Sequence, residues 1–207
     1  QIQTLSVPLP TAPLATIATI FSSDHSWTAT LSAERKRVLI ATGDIIPARH
    51  VNIETTKRNN FIWPYEKTAD VVADADITFI NLETPLLKNC PLIDAGFTFC
   101  GDSRNADGLI FAGIDVVSLA NNHAGNFGKE GVDETVKLLD SNGILTTGID
   151  GAVFKNVRGV TFAFLGYNDI GRQPGVSQVD EQKIREEILQ AKKQADIVVV
   201  TYHWGTE

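Results

Sequence analysis

The chain has 207 residues, of which 43% are hydrophobic and 21% charged. It is long enough for one domain with a sizeable core, and its composition excludes a disordered or low-complexity protein. Lysine and arginine number 18 against 25 aspartates and glutamates, a net charge of -7, so we exclude a nucleic-acid-binding protein and expect no nucleic-acid partner. Methionine is absent, and we therefore expect a processed product or a piece of a longer protein.

The N-terminal segment predicts no folded domain. Residues 1–34 are rich in Thr, Ser, Ala and Pro, and we interpret them as a linker or the tail of an upstream region, with at most one edge strand. The domain itself is predicted to occupy residues 35–207. The apolar run at 14–21 is shorter than the roughly 18 residues that a membrane span requires, and we predict no transmembrane segment in this chain.

Four short, β-branched runs predict buried strands of a sheet covered on both faces. They span residues 37–42, 76–80, 115–119 and 196–202. Residues 153–157 and 160–165, on either side of Arg158 and Gly159, predict a β-hairpin. Apolar positions at helical spacing predict helices over residues 65–73, 103–112, 129–142 and 180–194, the third ending at Gly143. The alternation of strands and helices indicates an α/β sandwich.

The two cysteines, Cys90 and Cys100, flank an irregular loop that contains proline and glycine. Two free thiols in a cytoplasmic protein are compatible with this spacing, and so is one disulfide in an extracytoplasmic protein. We favour the disulfide and an extracytoplasmic or cell-envelope location, with a cytoplasmic protein as the alternative.

Polar groups that suit metal binding follow the predicted strands. The spacing from Asp44 to Glu83 is 39 residues, and the spacing from Glu83 to Asn122 is the same. Because the carboxyl ends of strands in an open α/β sheet face one edge, we expect these residues to converge with His123 and His203. Carboxylates, an amide oxygen and imidazole form a ligand set for a divalent cation.

Each of these residues also has a structural explanation when it is taken alone. An aspartate after a strand is usually a turn or capping residue, and a single histidine is usually structural. Four strand ends with such groups nevertheless favour a metal site. The sequence has no glycine-rich phosphate loop, no Gly-x-Ser-x-Gly and no Cys-x-x-Cys, so those sites are excluded and no organic cofactor is expected.

Several separated motifs resemble the CapA family of capsule-synthesis proteins, which is associated with poly-γ-glutamate. They are Gly43-Asp44 with Arg49, Asn81-Leu-Glu83-Thr-Pro85, Ala120-Asn-Asn-His123-Ala-Gly-Asn-Phe-Gly128, Gly159 to Tyr167, and His203-Trp-Gly-Thr-Glu207. The resemblance covers residues 36–207. It implies a metallophosphoesterase-like (calcineurin-like) fold, a four-layer α-β-β-α sandwich with a metal site at strand ends, here truncated at its C-terminus.

The resemblance also implies roles for individual residues. The metal ligands would be Asp44, Glu83, Asn122 and His203, and the metal one or more ions of Mn, Fe, Zn or Mg. His123 is similar to the outer histidine that donates a proton to a leaving group. Arg49 would clamp an anionic substrate, and a surface arginine after a turn is the alternative.

Two departures from the family pattern concern the metal count. No Asp-x-His pair follows Gly43, and the next histidine, His50, is not counted among the ligands. The family's later Gly-His-His-Pro-His-like motif is not found in the 207 residues. We therefore expect a second metal to be weakly held or missing.

These observations predict a CapA-like protein of capsule or poly-γ-glutamate synthesis. Its metal-dependent hydrolase or transferase site would act on an anionic cell-envelope polymer or a phosphoester-like substrate. The alternative is a non-catalytic accessory subunit that binds polymer or capsule synthase subunits. A third reading, an α/β ligand-binding domain without metal, requires that the strand-end side chains do not converge.

Overall fold

A computed structural model describes residues 32–206 of the chain, which divides into two units, Gln1–Lys36 and Arg37–Glu207. In the described part of the first unit, Ala33–Arg35 form a 3-10 turn. The predicted linker at 1–34, with its edge strand, lies outside the described residues except for 32–34. The predicted boundary at residue 35 therefore stays a prediction.

The second unit consists of short strands and helices that alternate along most of the chain. The strands are β1 (Leu39–Ile45), β2 (Ile77–Leu82), β3 (Leu86–Leu87), β4 (Gly101–Asp102), β5 (Val116–Ser118), β6 (Leu145–Thr147), β7 (Val153–Val157), β8 (Val160–Asn168) and β9 (Ile197–His203). The helices are α1 (Arg49–Arg58), α2 (Ala69–Val72), α3 (Asn105–Phe111), α4 (Gly128–Ser141) and α5 (Glu181–Ala191), with a 3-10 turn at Trp63–Tyr65.

Two sheets pack face to face and carry helices on their outer faces. The first is parallel with the order β1-β2-β5-β6, and the second has the order β7-β8-β9, with β8 and β9 parallel. Phe79 of the first sheet meets Phe164 of the second in the core between them. Leu109 of α3 and Leu139 of α4 pack outside the first sheet, and Ile184 of α5 packs outside the second. The predicted four-layer α-β-β-α sandwich is confirmed.

Local signals in the sequence place several element ends correctly. The hairpin turns through Arg158 and Gly159, whose φ angles of 46° and 84° are those of a two-residue hairpin turn. Helix α4 ends just before Gly143, which adopts a φ of 75°. Helix α5 is capped by Asp180, whose carboxylate accepts a hydrogen bond from the Lys183 amide at 2.9 Å.

The prediction that all four strand runs are buried in one sheet is wrong for the first and the last. The run at 196–202 belongs to the second sheet as β9, and β1 and β9 both lie at a sheet edge. Residues 41–44 of β1 are exposed, and Ile197 and Tyr202 of β9 are 42% and 45% exposed. An edge strand has a neighbour on one side only, so an apolar run by itself does not ensure burial.

The predicted helix at 65–73 is confirmed only over its second half, and the sequence does not predict helix α1. Only Ala69–Val72 is α-helical in that region, and Ala69 is its one buried residue, too little burial to hold a longer helix. Helix α1 faces the core with Asn52 and Thr55, so no apolar periodicity marks it. Of the helices within residues 32–206, none has the length and apolarity needed to cross a membrane.

Candidate metal centre

Asp44 reaches the site from within β1 because the strand bulges just before it. Ala41 pairs with Phe79 and Asp44 pairs with Asn81, so β1 has one more residue than β2 between the two pairs. Bulges re-aim side chains beside functional sites. The Asp44 Oδ1 accepts a hydrogen bond from Asn81 Nδ2 at 2.8 Å, and the Asp44 side chain is 50% exposed.

Glu83 directly follows β2 and is the buried carboxylate of the site, at 4% exposure. Its Oε1 lies 3.8 Å from His123 Nε2 and 3.8 Å from His203 Nε2. A buried carboxylate is stable only when cationic or hydrogen-bonding groups surround it. Glu83 therefore occupies a position from which it can face a cation and both imidazoles.

His203 joins the two sheets at their carboxyl ends. It is the last residue of β9 in the second sheet, and its Nε2 lies 2.7 Å from Oδ1 of Asn122, which follows β5 in the first sheet. Its other ring nitrogen, Nδ1, lies 4.0 Å from Asp44 Oδ1. The structure thus brings together Asp44, Glu83, Asn122, His123 and His203, although they come from two sheets and not from one.

The donor set fits a divalent cation. Asp44, Glu83 and His203 each offer a ligand atom, and these atoms lie within 4.8 Å of one another. Because metal–ligand bonds are about 2.0–2.2 Å long, two ligands of one ion lie at most about 4.4 Å apart. Each carboxylate satisfies this limit with one ring nitrogen of His203: Glu83 Oε1 lies 3.8 Å from Nε2, and Asp44 Oδ1 lies 4.0 Å from Nδ1. The 2.7 Å contact between His203 Nε2 and Asn122 Oδ1 is a hydrogen bond.

Two asparagines that no sequence pattern marks as functional, Asn121 and Asn81, hold the predicted ligands in place. Asn121 is fully buried, and its Oδ1 accepts hydrogen bonds from the backbone amides of His123 at 3.0 Å and Ala124 at 2.7 Å. Its Nδ2 donates to Leu82 O at 2.8 Å and to Asn81 Oδ1 at 3.0 Å. The one feature of the sequence that could have indicated Asn121 and Asn81 is that each lies within two residues of a predicted metal ligand at a strand end.

Asn81 continues this network towards the exposed side of the site. Its Oδ1 accepts from Asn121, so its Nδ2 faces Asp44 Oδ1 and also lies 3.4 Å from His203 Nδ1. The amides of Asn121 and Asn81 therefore connect the ends of β5, β2 and β1. This network orients Asp44 and His203 without contributing a charge.

His123 is buried and held by aromatic and amide contacts. The ring stacks on Phe99, with ring centroids 3.9 Å apart and an angle of 23° between the planes. His123 Nδ1 lies 3.1 Å from Asn126 Oδ1, which also accepts the Phe99 backbone amide at 2.6 Å. Phe99 in turn precedes Cys100, which the structure joins to Cys90 in a disulfide with a Cα–Cα distance of 5.8 Å.

Arg49 and His50 begin helix α1 outside this cluster. Both are exposed, and within residues 32–206 neither side chain makes a hydrogen bond or ion pair with the cluster. Arg49 has a φ of 51°, a left-handed conformation that costs a non-glycine residue about 1 kcal/mol. Such strained residues concentrate at functional sites.

A family model described as "Bacterial capsule synthesis protein PGA_cap" matches residues 38–207. The chain is 28% identical over 195 residues to a capsule biosynthesis protein CapA from Bacillus anthracis, covering 83% of this chain and 47% of that protein. It is 28% identical over 188 residues to a PGA biosynthesis protein CapA from Bacillus subtilis (strain 168), covering 80% and 48%.

The chain therefore spans about half the length of these curated relatives. Among solved structures, a phosphatase from Mycoplasma pneumoniae matches with a TM-score of 0.48 and 14% identity, over 82% of this chain and 56% of that one.

Proposed function

Because this chain belongs to the PGA_cap family of bacterial capsule synthesis proteins, we propose that it acts on an anionic cell-envelope polymer at a divalent-metal site. The reaction is hydrolysis or transfer at a phosphoester-like or γ-glutamyl linkage. The observation that supports a metal site most directly is the gathering of Asp44, Glu83 and His203, whose ligand atoms lie within 4.8 Å of one another around the buried Glu83. Mn, Fe, Zn and Mg are the candidate ions.

The side chains divide into ligands and groups that handle the substrate. Glu83, Asn122 and His203 hold the ion, and Asp44 supplies a further carboxylate from the exposed side. When it is bound, a divalent ion polarises the scissile group and lowers the pKa of a coordinated water. His123 presents Nε2 at the same end of the sandwich, and its doubly protonated ring donates the Nε2 proton to the leaving group.

Arg49 supplies positive charge for an anionic substrate. Since the chain as a whole carries a charge of -7, binding of a polyanion depends on local positive groups and not on the global field. The exposed guanidinium forms no ion pair within residues 32–206, which supports a role in substrate binding. The Cys90–Cys100 disulfide supports an extracytoplasmic or cell-envelope location.

A panel of phosphoesters and γ-glutamyl peptides with added Mn²⁺ tests this proposal. We expect turnover that His123→Ala abolishes and that Asp44→Ala lowers together with metal content measured by elemental analysis. His50→Ala is the matched control, because His50 is exposed and makes no contact with the cluster. Equal metal content in the wild type and in Asp44→Ala, without turnover, contradicts the proposal.

The second candidate function is a non-catalytic subunit that binds polymer or capsule synthase partners. The size of the ligand set favours it, since within residues 32–206 only one group of acidic and histidine side chains gathers closely enough to hold an ion. Two-metal hydrolases hold both the attacking and the leaving oxygen with a pair of ions. Polymer binding that survives His123→Ala, with no turnover of the panel, supports this alternative.

A further inference from the structure

We propose that the disulfide-closed loop at residues 90–100 is a positioning element for His123. Through Phe99 and Asn126 it fixes both the ring orientation of His123 and the nitrogen that carries the proton in the neutral ring. The catalytic consequence rests on the proposed function. The position of the proton does not depend on it.

The proton assignment follows from two hydrogen bonds to one atom. The Phe99 backbone amide is a donor and lies 2.6 Å from Asn126 Oδ1, so that atom must be the amide oxygen and not the nitrogen. His123 Nδ1 lies 3.1 Å from the same oxygen. Because an amide oxygen can only accept a hydrogen bond, the His123 Nδ1 that contacts it must be the donor. Nδ1 therefore carries the hydrogen. Nε2 is then the nitrogen without a hydrogen in the neutral ring.

Phe99 controls the orientation of the ring as well as the amide. It is 6% exposed, and its ring covers one face of His123 at a centroid distance of 3.9 Å. The backbone amide and the side chain of a single residue therefore hold both Asn126 and His123. Moving Phe99 would disturb both contacts together.

The disulfide and helix α1 hold this loop at both ends. Cys100 follows Phe99 and is bonded to Cys90, and Asn52 of α1 places its Nδ2 3.6 Å from Cys90 Sγ. Asn52 is 1% exposed, and its Oδ1 accepts the Asp102 amide at 2.9 Å. Helix α1 thus contacts the loop ends on both sides of the disulfide. The polar inner face of α1 therefore serves to hold the ends of this loop.

The arrangement gives the two ring nitrogens different surroundings. Nδ1–H is held by Asn126, and Nε2 is the ring nitrogen that faces the site, 3.8 Å from Glu83 Oε1. Asn126 is neutral, so it sets the orientation of the ring without adding charge. Asn126 and Phe99 are positioning residues, and neither needs to touch substrate.

Nitrogen-15 spectroscopy of the imidazole rings tests the assignment directly. In the full chain at alkaline pH, without metal or substrate, the His123 ring is expected to show a protonated Nδ1 and an unprotonated Nε2. Its signals are identified by their loss in His123→Gln. We expect Asn126→Ala to move the proton to Nε2 in a substantial fraction of molecules. A wild-type ring protonated at Nε2 overturns the proposal.

Phe99→Leu separates positioning from stability, with Phe79→Leu as the matched control. Both phenylalanines are buried and both contact a ring, but Phe79 contacts Phe164 in the core between the sheets. Phe99→Leu should change the His123 nitrogen shifts and lower kcat on the order of 10-fold with little change in KM, since the donor stays but its alignment is lost. Phe79→Leu should lower the unfolding temperature and leave the shifts unchanged. Unchanged shifts in Phe99→Leu overturn the role of the loop.

The experiment distinguishes this inference from the proposed function. Protonated Nδ1 in a protein that turns over no substrate supports the positioning inference and contradicts the catalytic proposal. If the neutral His123 ring is protonated at Nε2 and turnover depends on His123, the positioning inference is contradicted and the catalytic proposal is supported. The double variant Cys90→Ser with Cys100→Ser should change the His123 shifts in the same direction as Phe99→Leu.

Discussion

Asn122 and His203 approach to 2.7 Å although they lie 81 positions apart in the chain, Asn122 after β5 of the first sheet and His203 at the end of β9 in the second. The contact therefore exists only when the two sheets are packed against each other. A ligand that binds both side chains joins the two halves of the sandwich, so binding at the site and the stability of the fold are linked.

Metal binding should stabilise the protein through Glu83. With a divalent ion at about 100 times its Kd, the free energy of unfolding rises by about 2.7 kcal/mol, because the ion binds the folded state alone. Glu83→Gln keeps the shape of the side chain but removes its charge, and we expect it to abolish most of this rise. Thermal unfolding with and without Mn²⁺ measures the effect.

The matched control for this experiment is Asp133→Asn. Asp133 is exposed and paired with Lys129 on the surface of helix α4, outside the cluster. The stabilisation by Mn²⁺ should be the same in this variant as in the wild type. A rise that survives Glu83→Gln, or that Asp133→Asn removes equally, would show that the ion binds elsewhere.

Asn121 should contribute strongly to the stability of the metal-free protein. Asn121→Ala leaves two backbone amides, one backbone carbonyl and the Asn81 amide oxygen without their partner in a buried region. We expect the free energy of unfolding to fall by at least about 2 kcal/mol. Urea unfolding of Asn121→Ala measures the loss.

Asn142→Ala provides the comparison for Asn121. Asn142 is an exposed asparagine whose side chain donates one hydrogen bond, to Leu138 O at 2.8 Å. Its replacement should change the free energy of unfolding by no more than about 0.5 kcal/mol. Similar losses in the two variants would contradict a supporting role for Asn121.

The sequence predicts the candidate metal ligands but not the residues that hold them in place. The reason is that the two groups depend on contacts of different range along the chain. Glu83 and Asn122 follow short apolar runs, a local pattern that the sequence displays, and parallel strands bring their ends together. The sequence predicts His203 at the correct end of its strand but assigns that strand to the wrong sheet, since sheet membership depends on pairing with β8 and not on the strand's own sequence.

The supporting residues depend on partners distant in the chain. Asn52 is useful because Asp102 and Asn105 lie across from it, and helix α1 therefore has no apolar stripe to reveal it. Asn126 acquires its role from Phe99, 27 residues earlier, through a backbone amide that any residue could supply. Such polar contacts leave no periodic pattern in the sequence.

Arg49 is expected to lower the stability of the fold through its backbone conformation and to strengthen substrate binding through its guanidinium. Arg49→Ala and Arg49→Gly both remove the guanidinium and should weaken binding of an anionic polymer equally. They differ in backbone strain, because glycine adopts the φ of 51° without cost, so Arg49→Gly should be about 1 kcal/mol more stable than Arg49→Ala. Urea unfolding and polymer affinity of the two variants measure the two effects. Equal stability would show that the backbone is not strained there.

The ion pair between Asp76 and Arg158 should make stability depend on acid pH. Asp76 immediately precedes β2. It accepts hydrogen bonds from both Nη atoms of Arg158, in the hairpin turn of the second sheet, and from the Val38 amide at 2.8 Å. In the folded state the pKa of Asp76 lies below its ordinary value of 3.8. The largest cause is the hydrogen bonding from Arg158, and the next is the hydrogen bond from the Val38 amide.

The sign of the effect follows from this lowered pKa. A carboxyl group with a lower pKa in the folded state stabilises the protein above its ordinary pKa, and the stabilisation is lost as the pH falls through the folded pKa. The wild type should therefore be more stable than Asp76→Asn at neutral pH, and the difference should shrink as the pH falls below 3.8. Because Arg158 is half exposed, salt should also reduce the difference. Urea unfolding of both proteins across this pH range measures the difference in the free energy of unfolding. If that difference stays constant through acid pH, the charge of Asp76 does not hold the two sheets together.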